Sequence, residues 1–214
     1  MKYNLAIFDL DGTLLNTLED LADSVNIALE AGGFPIRSID EIREFIGSGV
    51  SELIRLSLPE NTDANTFEQT LRLFKGNYLN NMKKKTKPYD GIIELLTVLK
   101  SWGVKTAVVS NKFEAGTKEL CAHFFRGLID TAMGDSGEYK RKPDPSGMLA
   151  VIKSLGEKPE KVLYIADSLI DIETAKNACV DFIGVSWGFR DRHFLRLNGA
   201  NTVIEHPSEL LMFF

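Results

Sequence analysis

Two hydrophobic rhythms alternate along the chain. Short apolar runs rich in β-branched residues read as strands buried on both faces, the pattern of a parallel sheet. These runs are Leu5–Phe8, Lys105–Val109, Leu128–Met133, Val162–Ala166 and Phe182–Ser186. Between the later runs lie amphipathic stretches bounded by helix start and stop residues. "DGIIELLTVLKSWG" predicts a helix that starts at Asp90 and stops at Gly103. "DPSGMLAVIKSLG" predicts one with Asp144 as N-cap, Pro145 in the first helical position and Gly156 at its end. "DIETAKNAC" predicts another after the fourth strand. Strand alternating with helix predicts an α/β fold, a doubly wound, Rossmann-like parallel sheet.

After the first strand the rhythm changes. Between Asn16 and about Lys87 every periodic stretch has helical spacing. Leu18, Leu21, Ala22, Val25, Ala28 and Leu29 share one helical face, which stops at Gly32-Gly33. Ser38 to Glu41 fits a capping box. Phe67, Leu71, Phe74 and Tyr78 form an aromatic-rich stripe whose spacing indicates core packing rather than a ligand box. The expected organisation is therefore a core domain of residues 1–15 and 86–214 with an inserted helical domain of residues 16–85. The lysine-rich return, Lys83 to Gly91, reads as a solvated linker rather than a polyanion patch.

Composition narrows the classes. With 44% hydrophobic and 26% charged residues the chain has the make-up of a soluble globular protein. A net charge of −5 argues against a nucleic-acid binder, and any anionic ligand needs local positive groups. No apolar run approaches the roughly 18 residues of a membrane span. The first residues lack the pattern of a signal peptide, so a cytoplasmic protein is expected. Cys121 and Cys179 both fall in helix-patterned stretches and read as buried free thiols in a reducing compartment. His123, His193 and His206 are scattered and read as structural or surface residues.

Candidate chemistry gathers at the strand ends. In "AIFDLDGTLLNT", residues 6–17, Asp9 and Asp11 follow the first apolar run. Alternate residues of a strand point the same way. A chain extended through Asp11 would set both carboxylates on one side, at the edge where open α/β sheets bind ligands. Gly12 permits a sharp turn or close backbone approach, and Thr13 can cap or hydrogen-bond locally. Two adjacent anions repel, which implies a cation or chemical work. A polar strand-to-loop junction with an Asx turn is the alternative. Other strand ends repeat the theme, however. "VVSNK" leaves Ser110, Asn111 and Lys112 at the same edge, where a hydroxyl and backbone N–H groups can hold a phosphoryl oxygen. "YKRKPDP" places Lys140, Arg141 and Lys142 before a helix start, with Pro143 and Pro145 stiffening the backbone around Asp144. "IADSLID" supplies Asp167 at a strand end and Asp171 about one helical turn later. Asp9, Asp11 and Asp167 make an all-oxygen, hard-ligand set suited to Mg2+.

"DLDGT", "VVSNK", "KRKPDP" and "IADSLID", in this order, resemble the four motifs of the haloacid dehalogenase superfamily of phosphotransferases. "KPYDGIIELLTVLKSWGVKTAVVSNK" and "VSWGFRDRHFLRLNGANTVIEHPSEL" resemble its phosphoglycolate phosphatase-like branch. The resemblance implies that Asp9 is the nucleophile that forms an aspartyl-phosphate. It implies that Asp11 protonates the leaving alcohol and then activates water. Gly12, Ser110, Asn111 and Lys142 would contact the substrate. Mg2+ would be bound by Asp9, the backbone carbonyl of Asp11, and Asp167, with Asp171 orienting the metal shell or Lys142. The helical insert would be a type C1 cap that closes over the site. Gly47, Ser48 and Gly49 would either lie near the leaving group or form a plain interhelical turn.

Two positions depart from the family pattern. Ala166 stands where Gly is common, and Ser110 where Thr is common. Asp11 separates the chain from the dehalogenase and phosphonate-cleaving branches, which lack that second acid. The implied activity is a Mg2+-dependent phosphomonoester hydrolase acting on a small phosphorylated metabolite, phosphoglycolate first. Nucleotide monophosphates, sugar phosphates and pyrophosphate stay open, and oligomeric state is not legible. The competing readings are a sugar phosphomutase, a phospho-accepting receiver-type domain, and a non-catalytic ligand-binding protein.

Overall fold

In the computed structural model, which describes residues 2–214, the apolar runs become strands of one sheet. The strands are β1 (Leu5–Phe8), β2 (Leu15–Asn16), β3 (Lys87–Pro88), β4 (Lys105–Phe113), β5 (Thr131–Asp135), β6 (Val162–Ala166), β7 (Asp181–Val185) and β8 (Val203–Ile204). Six of them form a parallel sheet in the order β5-β4-β1-β6-β7-β8. β1 lies at its centre, with Phe8 in register with Val108 and Ile165 on its two neighbours. Every residue of β1 is fully buried, as a continuous apolar run on a two-sided sheet requires. The two-residue strands β2 and β3 lie where the chain passes between two compact units, residues 1–16 with 88–214, and residues 17–87.

The unit of residues 17–87 is helical: α1 (Leu18–Ala31), α2 (Ile39–Phe45), α3 (Val50–Ser57) and α4 (Ala64–Asn81). The expected apolar face of α1 is buried throughout, from Leu18 to Leu29. It is joined by Leu71, Phe74 and Tyr78 of α4, whose Phe74 and Tyr78 rings stack 5.5 Å apart. Phe67 is only partly buried. The Ser38–Glu41 capping box forms, with each residue's backbone N–H donating to the other's side chain. Gly47 and Gly49 take positive φ in the turn between α2 and α3. Buried Asp20 of α1 accepts the backbone N–H groups of Lys85 and Thr86 at 3.1 and 2.8 Å. This pins the last residues of the unit to the first turn of its first helix.

In the other unit the sheet is covered by α5 (Ile92–Ser101), α6 (Glu114–Phe124), α7 (Ser146–Ser154), α8 (Leu169–Ala178) and α9 (Arg192–Leu197). One core layer joins Leu5, Ile7, Val109, Val162 and Tyr164 to Met148 and Val151 of α7 and Ala175 of α8. Each such aliphatic side chain contributes roughly 1.5–3 kcal/mol on burial. Among the described residues no helix is long and apolar enough to cross a membrane.

Several boundaries differ from the sequence pattern. β4 runs four residues past its apolar stretch, through Ser110, Asn111 and Lys112, because β5 goes on pairing with it across a register shift. β5 starts at Thr131 rather than Leu128, since Thr106 takes Leu128 and Asp130 as hydrogen-bond partners in the preceding turn. α5 begins after Gly91, whose left-handed backbone ends the turn, and not at Asp90. α7 starts at Ser146, its N–H received by the Asp144 carboxylate at 2.9 Å. Cys179 corrects an expectation: it lies one residue beyond α8 in a left-handed conformation and is exposed. Cys121 is buried as expected, and burial, reinforced by Asp11 and opposed by Lys112, pushes its thiol up to about 12.

Candidate active site

The chain leaves the extended conformation sooner than the strand pattern suggests. Asp9 N–H still donates to Ile165 on β6 at 3.1 Å. Beyond it the N–H groups of Thr13, Leu14 and Leu15 all converge on the Leu10 carbonyl, within 3.3 Å. Asp9 and Asp11 therefore do not share one partner set, and each carboxylate meets a different lysine. Lys142 Nζ lies 2.9 Å from Asp9 Oδ1. Lys112 Nζ lies 3.1 Å from both oxygens of Asp11.

Lys142 sits in a network closed by α8. Its ammonium donates to Asp171 Oδ1 at 2.7 Å and to the Tyr164 hydroxyl at 3.0 Å. Ser168 caps α8 and donates to Asp171 Oδ2 at 2.6 Å, so both oxygens of Asp171 are engaged. The Lys142 backbone is clamped by Asn111, which accepts from Lys142 N at 2.8 Å and donates to its carbonyl at 3.1 Å. Asn111 was expected among the substrate-binding residues, beside Ser110 and Lys142. Its side-chain amide locks the lysine loop, because β4 stays in the sheet and aims this side chain at the segment before α7. The Lys142–Pro143 bond is cis. Burial alone would lower the Lys142 ammonium, but Asp171 and Asp9 outweigh it and hold it above the ordinary lysine value. Burial, then Asp171 and Asp9, raise Tyr164 well above its usual value, so its proton is retained.

Asp167 follows β6 and is held from two other segments. Thr13 Oγ1 donates to its Oδ1 at 3.2 Å, and Phe189 N–H donates to its Oδ2 at 2.7 Å. Gly12 has φ +83°, and a Cβ on it would overlap the Asp167 carboxylate. A Cβ on Gly188 would overlap both that carboxylate and the Gly12 carbonyl. Trp187 Nε1 donates to the Thr13 carbonyl at 3.0 Å, fixing the loop after β7 against the loop after β1. Two glycines thus let three loops meet on one carboxylate.

Asp9, Asp167 and Asp171 present carboxylate oxygens within 4.8 Å of one another, and Asp11 is outside this group. The Asp11 carboxylate was expected beside Asp9 and Asp167; the bend after Asp9 sends it to Lys112 instead. Burial pushes Asp9 up to about 6, with Lys142 opposing and Asp171 and Asp11 reinforcing. Burial, Asp171 and Asp9 push Asp167 up to about 8 against its two hydrogen bonds. A buried all-oxygen group strained by its own repulsion fits a hard divalent cation. Ser110 is also buried at this edge, its Oγ accepting from Lys112 N–H at 3.4 Å.

The structure thus brings together Asp9, Gly12, Asn111, Lys142, Asp167 and Asp171, and places Ser110 and Asp11 alongside with other partners. It gives partners to Thr13 and Lys112, which "DLDGT" and "VVSNK" had placed at this edge, and adds Gly188, Phe189 and Tyr164, the last of which read only as one more buried strand residue.

The haloacid dehalogenase-like hydrolase family model matches residues 6–185, from β1 to the end of β7. Phosphoglycolate phosphatases of Mesorhizobium japonicum and Aquifex aeolicus are each 33% identical over 96% of this chain, covering 92% and 93% of their own lengths. A solved structure from Lactobacillus delbrueckii subsp. bulgaricus is 36% identical and superposes with a TM-score of 0.91, over 98% of this chain and 97% of that one. CbbY from Rhodobacter sphaeroides, solved in complex with phosphate, is 25% identical with a TM-score of 0.81, over 97% of this chain and 96% of its own. With its acidic strand ends, its paired lysines and this match across most of its length, the chain belongs to the haloacid dehalogenase-like hydrolases.

Proposed function

We propose that the protein is a Mg2+-dependent phosphomonoester hydrolase acting on a small phosphorylated metabolite of the cytoplasm, with phosphoglycolate as first candidate. The observation that carries this reading is the pairing of Asp9, its side chain still 12% exposed, with the buried Lys142 ammonium 2.9 Å away. A carboxylate nucleophile needs a fixed cation that attracts a phosphate dianion to it. Relatives named phosphoglycolate phosphatase and the phosphate bound by CbbY support the ester class.

An Asp9 oxygen attacks phosphorus while the ester P–O bond breaks, and the departing alkoxide takes a proton from Asp11. Water then attacks the phosphoryl group on Asp9, Asp11 takes the proton, and phosphate leaves with the Asp9 carboxylate restored. Lys142 and Ser110 hold the phosphoryl oxygens, while Asn111 and Asp171 fix Lys142. Asp9, the Asp11 carbonyl and Asp167 would hold Mg2+, whose charge offsets repulsion between the dianion and the Asp9 carboxylate. The helical unit serves as the cap.

Phosphate release from a panel of phosphorylated metabolites, in Mg2+ and then in EDTA, tests this. Wild type should turn over in Mg2+ only, and Asp9→Asn should be inactive while keeping its fold. Turnover retained by Asp9→Asn would overturn the mechanism.

A further inference from the structure

Asp9 and Asp167 stand where strands end. At the opposite edge of the same sheet, where its parallel strands begin, lies a cavity of about 340 Å3. Tyr3 precedes β1, Leu163 and Asp181 stand at the starts of β6 and β7, and Thr202 precedes β8. Ile172, Ala175 and Lys176 of α8 close it from the helix side. Its lining is largely apolar: Leu163, Ile172, Ala175 and Ile183 are at most 2% exposed. Tyr3, Phe182 and Phe213 add three aromatic rings. Two of these are fixed from behind, Tyr3 edge-on to Phe214 at 5.9 Å and Phe182 edge-on to Tyr164 at 5.9 Å.

The charges of this cavity do not balance. Asp181 Oδ2 accepts the Tyr3 hydroxyl at 2.6 Å and pairs with Lys2 Nζ at 3.1 Å. Lys176 is left over: among the described residues it pairs with no carboxylate. Its ammonium lies against Gly199, where a Cβ would come within 3.2 Å of Nζ. A concave apolar wall with one uncompensated cation is the form of a small-molecule site, and the volume lies in the usual range for one.

We propose that this cavity binds small aromatic carboxylates, with the ring among Tyr3, Phe182 and Phe213 and the carboxylate on Lys176. A cation would meet two lysines, and a neutral apolar molecule would leave Lys176 unpaired. A phosphate dianion would bring a second charge towards Asp181. The ring of an aromatic monoanion matches the lining, and its single charge matches the excess. The site is separate from the one at Asp9 and does not depend on the hydrolase reading.

Calorimetric titration of the whole protein with phenylacetate, in Mg2+ and inorganic phosphate, tests this. Wild type should bind with a Kd of about 1 mM or below. Phenylacetamide, which lacks the charge, and propionate, which lacks the ring, should each bind at least about tenfold more weakly. Lys176→Met keeps the stem of an exposed side chain and should lose at least about tenfold in phenylacetate affinity, while Lys176→Arg should keep most of it. Phosphate release should be the same in wild type and Lys176→Met, which separates this site from the catalytic one. No saturable binding of phenylacetate to wild type, or equal affinity in Lys176→Met, would overturn the inference and leave the hydrolase reading untouched. Phenylacetamide or propionate binding as tightly as phenylacetate would overturn the assigned ligand class.

Discussion

The buried hydroxyl of Tyr164 donates to Asp171 Oδ1 at 2.5 Å and accepts from Lys142 at 3.0 Å. One strand residue thus ties the acid of α8 to the lysine that faces Asp9. Tyr164→Phe keeps the ring in its core layer and removes only these bonds. Loss of a buried hydrogen bond to a charged group costs about 1.5–3 kcal/mol. Urea unfolding should read that loss, and steady-state kinetics should show kcat falling by about tenfold with a smaller change in KM.

Lys142 is the shared counter-charge of Asp9 and Asp171, at 2.9 and 2.7 Å. Lys142→Met leaves two buried carboxylates facing each other. The expected loss is about 3–5 kcal/mol of stability together with all turnover. Mg2+ should restore part of the stability and none of the activity, as thermal unfolding and phosphate release would show.

Asp9 at about 6 and Asp167 at about 8 both stand above the ordinary aspartate value of about 3.9. The metal-free folded protein therefore keeps protons that the unfolded chain has already released. Stability falls as pH rises from about 4 towards 8 and levels off above that. A divalent cation binds the ionised carboxylates and reverses the trend. In EDTA the Tm should drop by several degrees between about pH 5 and pH 8, and Mg2+ should raise it more at the higher pH.

Gly12 holds φ +83° against the Asp167 carboxylate, with no room for a Cβ. Gly12→Ala combines backbone strain with overlap, and should cost about 1–3 kcal/mol. Because the overlap falls on Asp167, the Mg2+ concentration for half-maximal activity should rise at least several-fold. A metal titration of the variant checks this, and an unchanged Mg2+ requirement would remove Gly12 from the metal-facing surface.

The sequence by itself determined the layered architecture, since period-two and period-3.6 patterns separate strands from helices without reference to the rest of the chain. It also determined which strand ends carry acids and bases, because that depends only on where an apolar run stops. Partner choice was decided by the tertiary structure. Nothing local to "DLDGT" tells that Asp9 goes to Lys142 and Asp11 to Lys112. That division follows from the bend after Asp9 and from β4 staying paired with β5 through Lys112. The Asn111 amide meets the Lys142 backbone for the same reason. Gly188 and Phe189 lie in the stretch that resembles the phosphoglycolate phosphatase-like branch but had no role of their own there, and reach Asp167 only because β7 lies beside β6 in the sheet. Tyr164 looked like any buried strand residue until Lys142 and Asp171 converged on its hydroxyl. Hydrophobic periodicity is a property of neighbours along the chain, whereas a buried charge is satisfied by whichever partner the sheet order delivers, often more than a hundred residues away.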